Sequence, residues 1–207
     1  MITSIVERKY TTIISDLGGV FLNRGIWLFW DLLHVDNGVP VELSKSAFLK
    51  NYKKYFSGQI TEEEFWKDFK VETKLDYDWH VLREMLLSRF KINEDVAGLY
   101  SSLRKKGFKL LLLSDQSKEW WPFLDKKYKI SSYFDHVIVS AIIGLNKPNP
   151  EIYRYALTQA ESSSEECIFL DDLQDNLKPA NELGIDTILY ENITQFKSEL
   201  LKREIIK

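Results

Sequence analysis

Apolar residues along this chain fall into two kinds of pattern. Short unbroken runs rich in branched side chains occur at Thr12–Ser15 and at residues 110–113, 137–139, 168–170 and 187–190. Runs that are apolar at both parities predict strands buried on two faces. Between the later runs the apolar positions take helical spacing: Val96, Leu99 and Leu103 share a face, and residues 120–128, 152–157 and 177–183 continue the pattern. Polar punctuation agrees, with Asn93 placed to cap the first of these helices, Gly107 and Gly184 to end helices, and Asn149-Pro150 to open one. Strand alternating with helix predicts an α/β fold on a parallel sheet.

Between the first strand and the second lie about 90 residues, too many for one crossover helix. The intervening residues 23–92 read as an inserted α-helical subdomain, leaving 1–22 and 93–207 as the core. Phe48, Leu49, Tyr52 and Tyr55 fall on one helical face ahead of a stop at Gly58. The next helix starts strongly: Thr61 and Glu64 fit a capping box, and Ile60 and Phe65 a hydrophobic staple. Trp27, Trp30, Trp66 and Trp79 are expected to pack this subdomain, with one or two lining a ligand pocket.

Composition narrows the classes. The 207 residues are 44% hydrophobic and 29% charged, as in ordinary globular proteins. Lys plus Arg number 28 against 31 Asp plus Glu, a net charge of −3, so the clustered positive charge that binds nucleic acid is lacking. No apolar stretch nears the roughly 18–20 residues of a membrane span, and residues 1–9 lack the core of a signal peptide. The single cysteine, Cys167, sits in an apolar run and reads as a buried thiol. A cytoplasmic protein is expected.

Ligands of an open parallel sheet bind beyond the carboxyl ends of its strands. Asp16 follows the first strand, Ser114 and Asp115 the second, and Asp171 and Asp172 the fourth, while the loop after the third carries Lys147. Carboxylates gathered at one edge repel unless a proton or a cation intervenes. Mg²⁺ suits such oxygen donors and commonly shares them with a substrate phosphate. Backbone N–H groups of Gly18-Gly19 and the Ser114 hydroxyl are then placed for phosphoryl oxygens, and Asp16 for attack on phosphorus.

Together these segments resemble the four motifs of the haloacid dehalogenase (HAD) superfamily. Asp16-Leu17-Gly18-Gly19-Val20 resembles the first, Leu112-Leu113-Ser114-Asp115 the second, Lys147-Pro148-Asn149-Pro150-Glu151-Ile152-Tyr153 the third, and Phe169-Leu170-Asp171-Asp172 with Asn176 the fourth. The insertion stands where members with a helical cap carry theirs. The resemblance implies a Rossmann-like core, a mobile cap, Mg²⁺ and hydrolysis of a small phosphorylated metabolite. It implies Asp16 as nucleophile and metal ligand, the Gly18 carbonyl as a second ligand, and Asp171 and Asp172 on the metal directly or through water. Ser114, Asp115, Gly19 and Lys147 fall to the phosphoryl group, with Lys147 also restraining the Asp16 charge.

One position departs from the pattern. Family phosphatases usually carry a second aspartate two residues after the nucleophile, where it protonates the leaving group; here that residue is Gly18. General acid help is worth about 10²–10⁴ in rate. Three readings are open: an ester whose leaving oxygen needs little protonation, such as a sugar 1-phosphate; a proton from Asp115, Asp175 or His34; or a slow or silent protein that binds phosphometabolites. The 2-haloacid dehalogenases also lack that acid, although two retained acids at Asp171 and Asp172 suit a cation site better. Arg24, Trp27, Trp30 and His34 are the candidates for substrate selection.

Overall fold

The computed structural model describes residues 9–207; the reading of the first residues as leader-free lies outside them, Lys9 apart. The elements run β1 (Thr12–Ser15), α1 (Gly25–Asn37), α2 (Val41–Phe56), α3 (Glu62–Thr73), α4 (Trp79–Leu87), α5 (Glu94–Lys105), β2 (Lys109–Ser114), α6 (Trp120–Tyr128), β3 (His136–Val139), α7 (Ser140–Ile143), α8 (Pro150–Ala160), β4 (Cys167–Asp171), α9 (Gln174–Glu182), β5 (Asp186–Leu189) and α10 (Ile193–Lys202).

The strands form one parallel sheet in the order β3-β2-β1-β4-β5. Alternate residues leave the sheet on opposite faces. Ile13, Leu110, Leu112, Ile168 and Leu170 enter one core cluster, and Ile14, Leu111, Leu113, Cys167 and Phe169 the other. Both faces are covered, which is why the inner positions of the strands are mostly apolar on both faces. Val96 and Leu103 of α5, Trp120 of α6 and Phe196 of α10 pack the first face; Ile152 of α8 and Leu177 of α9 pack the second. Asn93 and Asn149 accept from the backbone N–H groups of Val96 and Glu151, as helix caps do. Cys167 is a buried free thiol. No described helix is long and apolar enough to cross a membrane.

Helices α1 to α4 fill the insertion between β1 and α5. Thr61 and Glu64 make the reciprocal capping box that starts α3. Phe48 of α2 meets Trp30 and Phe65 edge to face, at centroid distances of 5.8 and 5.1 Å. Trp120 of α6 enters the same aromatic group, lying 5.4 Å from both Tyr55 and Phe56. Its indole N–H donates 2.6 Å to the buried Glu62, which also accepts from Trp66. The hydrophobic core thus continues from the sheet into the inserted helices. Leu49 departs from expectation: it is half exposed at a cavity rim, because the packed face of α2 centres on Phe48 and Tyr55.

Candidate active site

The chain leaves β1 toward β2 and β3 on one side, and β4 and β5 lie on the other. That reversal opens a crevice at the carboxyl end of β1, and Asp16 is the residue there. The strand holds it firmly. Its N–H donates 2.8 Å to the Leu170 carbonyl, and its own carbonyl accepts at 2.7 Å from Ser15 Oγ, which accepts in turn from Tyr100.

Lys147 reaches into the crevice from the loop between α7 and α8. Its Nζ donates 2.7 Å to Asp16 Oδ1 and 2.6 Å to Asp171 Oδ2. All three residues are buried. Asp171, the last residue of β4, also accepts from the Leu173 N–H and from Asn176 Nδ2 at both oxygens. Asp172 takes a 2.7 Å bond from Arg24 Nε, at the start of α1. One oxygen from each of Asp16, Asp171 and Asp172 lies within 4.8 Å of the others.

The glycine turn makes room for this arrangement. Gly19 has φ +82°, and a Cβ there would stand 2.1 Å from Asp172 Oδ2. Only a residue without a side chain suits both the backbone and the neighbour. A Cβ at Gly18 would meet nothing within 4 Å, so that glycine answers to no steric demand.

A family model for haloacid dehalogenase-like hydrolases matches residues 10–184. The chain belongs to that family. Among curated relatives, it is 33% identical over 118 residues to bifunctional epoxide hydrolase 2 of Rattus norvegicus, covering 54% of this chain and 21% of that protein. It is 28% identical over 143 residues to flavin mononucleotide hydrolase 1 of Arabidopsis thaliana, covering 69% of this chain and 58% of that one. The chain therefore spans only part of these relatives. A HAD family enzyme from Bacteroides thetaiotaomicron, solved with magnesium and inorganic phosphate, superposes with TM-score 0.67 at 23% identity, over 88% of this chain and 94% of that one. That likeness is one of fold.

In this HAD-family chain the crevice opens into a cavity of about 460 Å³ between the sheet edge and the inserted helices. Ser114, Asp115, Gly18, Lys147 and Asp172 line it beside Asp16, and Gly19 lies against Asp172. The sequence-expected site residues are thus brought to one place. Arg24, Trp27 and Trp30 line the cavity too. His34 does not join them: its Nδ1 lies 3.2 Å from the Val39 carbonyl at the far end of α1, which removes it as a proton source. Asp175 stands exposed on the rim. Tyr52, Lys53 and Gln116 line the cavity without having been singled out as site residues. Helical periodicity places Tyr52 on a packing face, and it does pack, parallel to Phe56 at 4.4 Å.

Burial pushes the Asp16 carboxyl well above the usual range, Asp171 and Asp172 add to the rise, and Lys147 works against it. Asp172 is likewise pushed up by burial and by Asp171, against Arg24. Burial alone would draw the Lys147 ammonium down, but Asp16, Asp171 and Asp115 outweigh it and hold the proton. Asp115, whose Oδ1 accepts from the Lys147 N–H at 3.0 Å, is pushed up to about 6 by desolvation. Three clustered acids thus face one buried ammonium and one half-exposed guanidinium. The donor set is all oxygen and in excess of positive charge, which fits a hard divalent cation.

Proposed function

We propose that this chain is a Mg²⁺-dependent phosphatase that hydrolyses a small phosphorylated metabolite through an aspartyl phosphate on Asp16. The observation that carries the reading is the pairing of Asp16 with Lys147 at the switch point of the sheet, next to Asp171 and Asp172. The family membership and the phosphate-ester relative support it. Residues 23–92 act as the cap, and 1–22 with 93–207 as the core.

Asp16, the Gly18 carbonyl and Asp172 would hold Mg²⁺. Asp171 acts behind them, since both its oxygens already accept from Lys147, Asn176 or Leu173. When bound, the ion offsets the negative charge of the phosphoryl oxygens. The Lys147 ammonium draws the phosphoryl group toward Asp16 and keeps the Asp16 carboxylate ionised. The Ser114 hydroxyl and the backbone N–H groups at Gly19 and Asp115 hold the remaining oxygens. Asp16 attacks phosphorus in line, the alcohol leaves, and water then cleaves the acyl phosphate. Most of the acceleration comes from charge placed in advance.

Gly18 supplies no acid. Esters with good leaving groups need none, sugar 1-phosphates among them, and Asp115 on the cavity wall serves those that do. Gly18 also motivates the second reading, a phosphometabolite-binding protein with little turnover. The single buried thiol accords with a cytoplasmic setting. A panel of phosphate esters assayed with Mg²⁺ and with chelator separates the readings. Phosphate release abolished by chelator supports the enzyme; ligand-dependent thermal stabilisation without release supports the binding protein.

A further inference from the structure

The cavity is larger than a phosphoryl group needs, and its far wall is aromatic. Trp27, Trp30, Phe48, Tyr52 and Phe56 come from α1 and α2, and Phe90 from the segment after α4. Such a wall is in keeping with a ligand that presents an apolar or planar face.

Two features of α1 make the wall specific. Trp27 stays 48% exposed within a packed subdomain, with its ring nearly parallel to Trp30 (16°, centroids 6.5 Å) and the Arg24 guanidinium 4.5 Å from its centre. Arg24 is also the group that bonds Asp172. A layered guanidinium–indole shelf therefore begins one side chain away from the reacting end of the site. Trp30, by contrast, is buried, and its indole Nε1–H finds no acceptor among the described residues. With that nitrogen sealed from the cavity, Trp30 contributes its ring to the wall.

Building on the phosphatase reading, we infer that the substrate's alcohol carries a planar aromatic ring. The ring extends the Arg24–Trp27 shelf, while the phosphate reaches Asp16. Trp27 and Trp30 then determine specificity, selecting aromatic phosphomonoesters over sugar phosphates.

The test compares kcat/KM with Mg²⁺ for flavin mononucleotide, pyridoxal 5′-phosphate and glucose 1-phosphate in the wild type, Trp27→Ala and Trp30→Phe, with folding checked by circular dichroism. The wild type is expected to favour at least one ring ester over the sugar ester. That ratio should fall about tenfold in Trp27→Ala, as loss of an aromatic contact implies, and by less in Trp30→Phe, which keeps a smaller ring in the wall. A preference for the sugar ester, or a ratio that stays within about twofold in both variants, overturns the inference while leaving the phosphatase reading intact. If no ester is hydrolysed, that reading fails, and flavin fluorescence decides the inference alone. Quenching by the wild type that weakens about tenfold in Trp27→Ala upholds the shelf, and absence of quenching refutes it.

Discussion

Arg24 Nε donates a 2.7 Å hydrogen bond to Asp172 Oδ2, tying the first inserted helix to the acidic cluster of the core. The carboxylate is almost wholly buried, whereas the guanidinium remains half exposed. A fixed positive charge on a carboxylate proposed as a metal ligand competes with the metal. Arg24→Ala should therefore bind Mg²⁺ more tightly, by about fivefold for a partly screened charge. Isothermal titration with Mg²⁺ measures this directly, and weaker binding in the variant would count against Asp172 as a ligand.

The two glycines after Asp16 make opposite demands. A methyl at Gly19 meets the Asp172 carboxylate in a left-handed backbone, whereas one at Gly18 meets nothing. Gly19→Ala should lose about 1–3 kcal/mol of stability and nearly all turnover, and Gly18→Ala should leave the melting temperature almost unchanged. Thermal unfolding of the pair checks this. Gly18→Asp should raise turnover of esters with poor leaving groups, since the open space admits the missing acid.

The proposed role of Asp115 implies a pH dependence. Desolvation pushes it up to about 6, Asp171 adds to the rise, and Lys147 and Lys53 restrain it; Tyr52 lies alongside with its own phenol pushed up by burial. If Asp115 protonates the leaving oxygen, kcat for a poor leaving group declines above about pH 6. Asp115→Asn should lose that decline together with about 10²-fold in rate at lower pH. The pH–rate profiles of the two proteins decide it.

Far from the cavity, Asp186 at the start of β5 takes paired bonds from Arg203 at 2.7 and 3.0 Å and a third from Tyr10 at 2.6 Å. Burial works against the Asp186 charge, yet these donors hold its carboxyl below the ordinary 3.8. A depressed folded value means stability that is complete above the unfolded value and lost as pH falls through the folded one. Asp186→Asn should cost about 1 kcal/mol near neutrality, the part-exposed setting discounted, and progressively less as the pH falls below the ordinary carboxyl value of 3.8. Denaturant melts over a descending pH series measure the difference.

The strands were legible because burial on both faces leaves no polar alternation, and each apolar run lies within one residue of a strand's ends. Capping chemistry located α3, α5 and α8. Helix α1 carried no such signal: Ile26, Trp27, Leu28, Phe29 and Trp30 form an unbroken apolar run without helical period, because this helix faces both a core and a cavity. Helix α10 is announced by Asn192 ahead of Ile193, Phe196 and Leu200, but strand–helix alternation alone does not require it. The acidic cluster could be inferred from the residues at the carboxyl ends of β1 and β4. The Arg24–Asp172 pair, 148 residues apart, could not, since it depends on how the insertion folds back over the sheet.

In the proposed reaction Asp16 becomes phosphorylated. Rapid acid quench of the Mg²⁺-loaded protein during turnover of a hydrolysed ester, followed by peptide mass mapping, tests it. A phosphoryl adduct is expected on the peptide holding Asp16, absent with chelator and absent in Asp16→Asn along with turnover. Phosphate release that persists in Asp16→Asn without any adduct would contradict it.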